Sequence, residues 1–279
     1  MGLTNSNDRF LTGHQAQMPL STQAEYSGFL IINADDWGID RLTTDRTLEC
    51  VGRGAVTSVS AMVFMEDSER AAALARERGI EAGLHLNLTT TFSGACCSLK
   101  LKERQQELAR YLLWHRLAQV VFHPGLIRSF EYVVLAQLDE YRRLYGADPE
   151  RLDGHHHMHL CANILLEGLL PRGTLVRRNF SFQTGEKSFM NRLYRYFVDA
   201  VLGRRHRLVD FFFSLEPFEV PGRLQRMCSL ADQFVVEVET HPASLEEYLF
   251  LSGGEFFRQA GNTRIAPPSA IVGRRSIGK

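Results

Sequence analysis

The chain has 279 residues, 44% of them apolar and 23% charged, and its 32 Lys+Arg balance 32 Asp+Glu. That length supports one substantial core, and the charge balance argues against a protein whose task is neutralising phosphates along nucleic acid. Histidine is the unusual component: of ten, four fall at His155, His156, His157 and His159, and imidazole is both a metal ligand and a proton carrier near neutral pH.

Residues 1–28 are polar, lack the apolar segment of a secretory signal and read as a flexible leader. No later stretch approaches the roughly 18 uninterrupted apolar residues of a membrane span. FLIINADD at 29–36 is an apolar run opening into polar residues, as in a buried strand feeding a functional loop. A helix is expected over 40–51, a β-branched strand at 56–64, an amphipathic helix at 66–79 stopped by Gly79, and a strand at 80–89. This alternation predicts parallel pairing through βα units. Residues 90–102, with Thr, Ser, Gly and the Cys96-Cys97 pair, read as a loop; helices are expected around 103–121 and 128–145, and RLDGHHHMHL at 151–160 brings a fresh strand or strand end. Helix at 160–170, a short strand at 175–178, helix at 187–203, and strands at 207–213 and 233–239 complete the pattern.

The sum favours an α/β fold, a distorted or incomplete (β/α) barrel with mostly parallel strands and inserted helices or loops. It forms a single catalytic domain over 29–260, followed by an irregular tail over 261–279. The loop after Asp36 lacks GxGxxG, so no dinucleotide site is encoded there. Five cysteines without CxxC spacing indicate neither a disulfide framework nor a thiolate zinc site and fit a reducing cytoplasm.

Asp35 and Asp36 end the first strand, where adjacent side chains diverge. One carboxylate can bind a cation while the other accepts a proton if the loop turns both into one pocket; alone, the pair reads more readily as an Asx turn or helix cap. His85 points opposite Leu84 and Leu86. Singly such a residue is more often a satisfied structural histidine, but at the end of a parallel strand it faces the same mouth as the acidic pair. In DGHHHMH at 153–159, an extended backbone sets His155, His157 and His159 on one face and His156 on the other. A small divalent site is met by three imidazoles or by one carboxylate with two, and Asp153 is placed to orient an imidazole; a surface histidine cluster is the bland alternative. His241, before Pro242, shares its parity with Glu237 and Glu239, which either tune it or are solvated on an exposed edge.

NADDWG at 33–38, VTSVSAM at 56–62, GLHLNLT at 83–89, LDGHHHMH at 152–159 and THP at 240–242 resemble, in order and separation, the motifs of the YdjC/ChbG/HpnK-like carbohydrate deacetylases. The resemblance covers most of residues 29–250. It implies a metal-dependent hydrolase that removes an acetyl group from an N-acetylated sugar, oligosaccharide or lipid-linked sugar, releasing acetate and a free amine. It further implies Asp36, His85 and His155 as ligands of one divalent metal ion, magnesium or zinc, with His157 as runner-up ligand, Asp35 as general base and His241 as general acid. Trp37, Asn87 and Arg177 are the expected substrate contacts. Trp37 stands where phenylalanine is common in the family, and Gly154 where serine is common, a change expected to loosen the ligand-bearing loop. Competing readings are another metal hydrolase such as a phosphoesterase, or a non-catalytic carbohydrate-binding protein. A cytoplasmic homodimer is compatible with the sequence; a nucleic-acid partner is not expected.

Overall fold

The computed structural model describes residues 28–114, 117–182, 186–218 and 220–271. The expected leader, apart from Gly28, and tail residues 272–279 lie outside the described residues. Seven strands are present among the described residues: β1 (Phe29–Trp37), β2 (Ser58–Ala61), β3 (Ala82–Leu86), β4 (Arg151–Gly154), β5 (Leu175–Val176), β6 (Phe211–Ser214) and β7 (Val235–Thr240). The intervening helices are α1 (Arg41–Gly52), α2 (Ser68–Arg78), α3 (Leu99–Trp114), α4 (Ile127–Tyr145), α5 (Ala162–Glu167), α6 (Phe189–Leu202), α7 (Arg223–Ala231), α8 (Leu245–Ser252) and α9 (Glu255–Ala260). Local signals explain their ends. The Asp40 carboxylate accepts from the Thr43 amide at the start of α1, and Gly79 and Gly146 take left-handed conformations that close α2 and α4.

Every strand pair is parallel, in the order β5-β4-β3-β2-β1-β7-β6. Around a ring this is sequence order, with one seam between β5 and β6. A parallel bridge from Leu175 to Arg207 and a hydrogen bond from the Ser181 amide to the Phe212 carbonyl span that seam. The result is the distorted (β/α) barrel expected from the alternation. Residues 264–266 depart from the expected irregular tail: the Leu30 amide donates to the Arg264 carbonyl and the Ala266 amide to the Leu30 carbonyl, annealing this segment to β1.

The strand period divides each strand between two environments. Outward-facing Leu30, Ile32, Val59, Leu84, Leu152, Val236 and Val238 join the main apolar core. Inward-facing Phe29, Ile31, Leu175, Phe212 and Val235 plug the barrel floor. Above that plug the interior is polar and ionic: Asn33, Ser58, Ser60, Arg151, Asp153, Arg177, Glu237 and Glu239 are all buried.

The end of β1 carries an irregularity that matters for the site. Ala34 pairs with Val59 and Trp37 with Ala61, so β1 spends three residues where β2 spends two, and Asp36 takes a left-handed φ of 61°. This β-bulge cancels the alternation that would send Asp35 and Asp36 to opposite faces. Trp37 is thereby turned into the core, where its indole N–H donates to the Ala71 carbonyl at 3.2 Å. Trp37 is a packing residue and not the expected substrate contact, because no part of it reaches the mouth. Trp37→Ala is expected to cost about 3–5 kcal/mol in denaturant unfolding, whereas Trp37→Phe keeps most of the packing, loses the indole N–H and costs about 1 kcal/mol.

Candidate metal centre

β1, β3 and the turn after β4 each deliver one side chain to the same point at the carboxyl end of the barrel. Asp36 Oδ1 lies 3.0 Å from His155 Nδ1 and 3.3 Å from His85 Nε2. The donor atoms of the three residues lie within 4.8 Å of one another. Asp36 Oδ1 is buried, yet it has no partner in hydrogen-bond geometry. Burial alone would raise the Asp36 carboxyl; His155 and His85 beside it hold it well below the usual carboxylate range instead. An orphaned anionic oxygen facing two imidazole nitrogens fits a divalent cation as its missing partner.

The surroundings reinforce that fit. His85 Nδ1 is held by Asp153 Oδ1 at 2.7 Å, which aims Nε2 at Asp36, the carboxylate–imidazole arrangement that orients metal-binding histidines. Within the barrel, Arg151 and Arg177 face Asp35, Asp153, Glu237 and Glu239, and Asp36 adds a further acid at the rim. Carboxylates therefore outnumber guanidinium groups. The consequence is visible at His85, where burial opposes the charged form but Asp35 and Asp153 override it and push the imidazole up to about 10. A cation on Nε2 answers the same demand for positive charge.

Asp35, His85 and Asp153 form a second close group of donor atoms. Its carboxylates are already committed: Arg177 donates to both oxygens of Asp35 at 2.7 Å and approaches Asp153 at 3.0 Å. Asn33 adds a hydrogen bond to Asp35 Oδ1 at 2.8 Å. Despite its burial, Arg177 and His85 hold the Asp35 carboxyl below its usual range, so it stays ionised. Asp35 Oδ2 faces His85 Nε2 at 4.0 Å and His241 Nε2 at 3.9 Å. His241 has a side chain 38% exposed at the mouth, and Glu247 lies 3.6 Å from its Nδ1. Burial works against its charged form, but Glu247, Asp35 and Glu239 raise it to about 9.

Several expectations need correction. Arg177 does not contact substrate: its side chain is sealed from solvent, it stacks over Phe212 at 4.9 Å and it pairs with Asp35, Asp153, Glu237 and Glu239 beneath the site. Asn87 is fully buried; its Oδ1 accepts from the Thr89 and Thr90 amides and its Nδ2 donates to the Thr90 carbonyl, so it shapes the turn after β3. The histidine run is not extended. Residues 155–160 form a tight turn with left-handed His156 and His157, which separates His157 from the face of His155. His157 instead meets Glu239 at 3.6 Å and packs edge-on to Phe180. His156 Nδ1 pairs with Thr89 Oγ1 at 3.0 Å, and His159, lowered to about 3 by burial, bonds the Arg177 carbonyl as a neutral structural residue. Gly154 tightens the turn rather than loosening it, since a Cβ there would sit 2.9 Å from His159 Cβ. Glu237 and Glu239 are buried ion-pair partners, not solvated edge residues.

The sequence profile described as YdjC-like protein matches residues 29–261. The chain is 33% identical over 135 residues to a chitooligosaccharide deacetylase of Proteus mirabilis, covering 48% of this chain and 51% of that one. It is 35% identical over 173 residues to a chitooligosaccharide deacetylase of Serratia marcescens, covering 56% and 64% respectively. These first two matches thus span half to two thirds of the relatives' length. A carbohydrate deacetylase of Brevibacillus brevis is 29% identical over 234 residues, 82% of this chain and 87% of that one. Among solved structures, a candidate cellobiose-phosphate cleavage protein of Enterococcus faecalis shares the fold with a TM-score of 0.59 at 19% identity, covering 88% of this chain and 98% of that one.

Proposed function

The chain belongs to the YdjC-like family, and from that premise we propose that it is a metal-dependent carbohydrate N-deacetylase, hydrolysing the acetamide of an N-acetylated sugar to acetate and a free amine. The observation that carries this reading is the convergence of Asp36, His85 and His155 with an acid–base pair, Asp35 and His241, beside them. The deacetylase relatives support the substrate class.

Asp36, His85 and His155 would hold the cation. Two imidazoles and a carboxylate suit zinc, with magnesium as the competing ion. A divalent cation there polarises a carbonyl and acidifies water. Asp35, kept ionised and oriented by Arg177, accepts the proton of the attacking water on Oδ2. His241, kept protonated by Glu247 and its neighbouring acids, delivers a proton from Nε2 to the departing sugar nitrogen. Arg177 and Glu247 are positioning residues: each fixes the protonation state of the group that moves a proton. The free cysteines, Cys50, Cys96, Cys97, Cys161 and Cys228, support a cytoplasmic setting.

Incubating the protein with a panel of N-acetylated sugars, with zinc or magnesium supplied separately, should yield acetate and primary amine in equal amounts. Phosphate release from sugar phosphates without acetate would replace this reading by phosphoryl chemistry. The acid role makes a signed pH prediction. His241 must carry its proton, so the rate should fall as pH rises through about 9. His241→Gln should remove that alkaline limb and lower kcat by about two to four orders of magnitude.

A further inference from the structure

Helix α6 is built inside out. At 3.6 residues per turn, Tyr196, Phe189, Leu193, Phe197, Met190 and Tyr194 follow one another around a continuous arc of roughly 160°. All six are exposed, and Phe189, Met190, Tyr196 and Phe197 each leave 66–69% of their surface to solvent. Val198 and Leu202 on the opposite arc are buried, while Asn191, Arg192, Arg195 and Asp199 are only half exposed. A surface helix normally has the reverse order, with its apolar stripe against the core. A contiguous aromatic face of this kind marks an interaction surface.

Charge and position together identify what covers it. From Glu186 to Arg207 the chain carries six cations, Lys187, Arg192, Arg195, Arg204, Arg205 and Arg207, against two acids. Both acids face arginines elsewhere: Asp199 pairs with Arg178 at 2.8 Å, and Glu186 lies 3.9 Å from Arg226. Lys187 and Arg204 bracket the helix, and Arg192 borders the aromatic arc next to Tyr196. The helix also abuts the mouth. Because α6 follows β5, its amino end lies at the carboxyl end of the barrel, where the metal ligands are. An aromatic track connects the two: His157 meets Phe180 at 4.7 Å, Phe180 meets Phe182 at 6.2 Å, and Lys187 and Arg195 stand over Phe182 at 5.1 and 4.9 Å.

We propose that α6 docks the protein on an anionic lipid bilayer, its aromatic face entering the boundary between headgroups and acyl chains and its cations engaging lipid phosphates. Apolar bulk rimmed by Lys and Arg is the composition of helices that lie in the membrane interface, and a net cation excess beside it selects anionic lipid. A second copy of the chain is disfavoured as occupant, because two-fold pairing of this face would set its cation-rich rims against each other. The proposal goes beyond the deacetylase reading and is tested without any hydrolysis measurement.

The test is co-sedimentation of the full chain with vesicles of phosphatidylglycerol mixed into phosphatidylcholine, compared with phosphatidylcholine alone, alongside the oligomeric state by light scattering. The wild type should pellet with the mixed vesicles, less so at high salt. Leu193→Ser/Tyr196→Ser/Phe197→Ser should lower the partition coefficient about tenfold or more with an unchanged melting temperature, since the three residues are exposed. Arg192→Glu/Arg204→Glu should weaken binding to the anionic vesicles selectively. A wild type that stays in the supernatant at low salt, or a triple variant that pellets equally well, overturns the proposal. A wild-type dimer that the triple variant splits overturns it in favour of a second copy.

Discussion

Asp36→Ala should abolish tight cation binding and lower turnover by about three orders of magnitude or more, several kcal/mol of lost electrostatic assistance at about 1.4 kcal/mol per decade. Among the described residues, Asp36 Oδ1 is the anionic atom shared by both candidate imidazole ligands, at 3.3 Å from His85 Nε2 and 3.0 Å from His155 Nδ1. Asp35 is nearest in sequence, but both of its oxygens are gripped by Arg177. The control is Asp35→Asn, which keeps the donor set intact while removing the proton acceptor. It should bind zinc with near wild-type affinity in a calorimetric titration and still lose about two to four orders of magnitude in kcat. Equal zinc affinity in Asp36→Ala and wild type would break the assignment of the ligand; loss of zinc in Asp35→Asn would break the division of labour between the two acids.

The second large effect is on stability. Arg177→Met leaves Asp35, Asp153, Glu237 and Glu239 in a sealed interior with Arg151 alone, and breaking a buried ionic group in this way costs about 3–5 kcal/mol. The pH dependence separates this cause from a packing defect. Asp35 and Asp153 have folded pKa values depressed below their unfolded ones, so the stability they contribute is present above the unfolded carboxylate range, near about 4, and is lost as pH falls through the folded values. Without Arg177 that depression is lost, so the deficit of the variant should be full above the unfolded carboxylate range and should shrink as pH falls from about 4 toward the folded Asp35 value of about 2. Denaturant unfolding at about pH 3 and about pH 7, on either side of the unfolded carboxylate range, with Trp37→Ala as a variant whose deficit stays constant, checks this directly. A pH-independent deficit in Arg177→Met would show that only volume was lost.

What the chain reveals of itself before folding depends on range. The barrel was legible because strand and helix periods are local, and the inward direction of His85 followed from Leu84 and Leu86 alone. Asp153 as the partner that orients an imidazole was also legible, since a carboxylate near a histidine run has few other uses. Three things were not. The bulge in β1 depends on the register against β2, so the fate of Trp37 could not be read from its neighbours. The turn at His155–Leu160 depends on left-handed conformations at His156 and His157, which no glycine announces. Arg151 and Arg177 became interior residues only when β4, β5 and β7 closed on one another; the two-residue spacing of Glu237 and Glu239 on a strand, facing arginines of equal parity elsewhere, was the signal that could have found them.

The surplus residue in β1 has a consequence for how this site can change over time. A substitution at Asp35 or Asp36 removes one carboxylate and leaves the other where it stands. Deletion of Ala34 goes further, because it restores strict alternation and puts an acid where Ala34 packs in the helix-facing core. The spacing of this strand end is therefore as much a part of the site as its two acids, since it is the extra residue that lets both carboxylates reach the mouth.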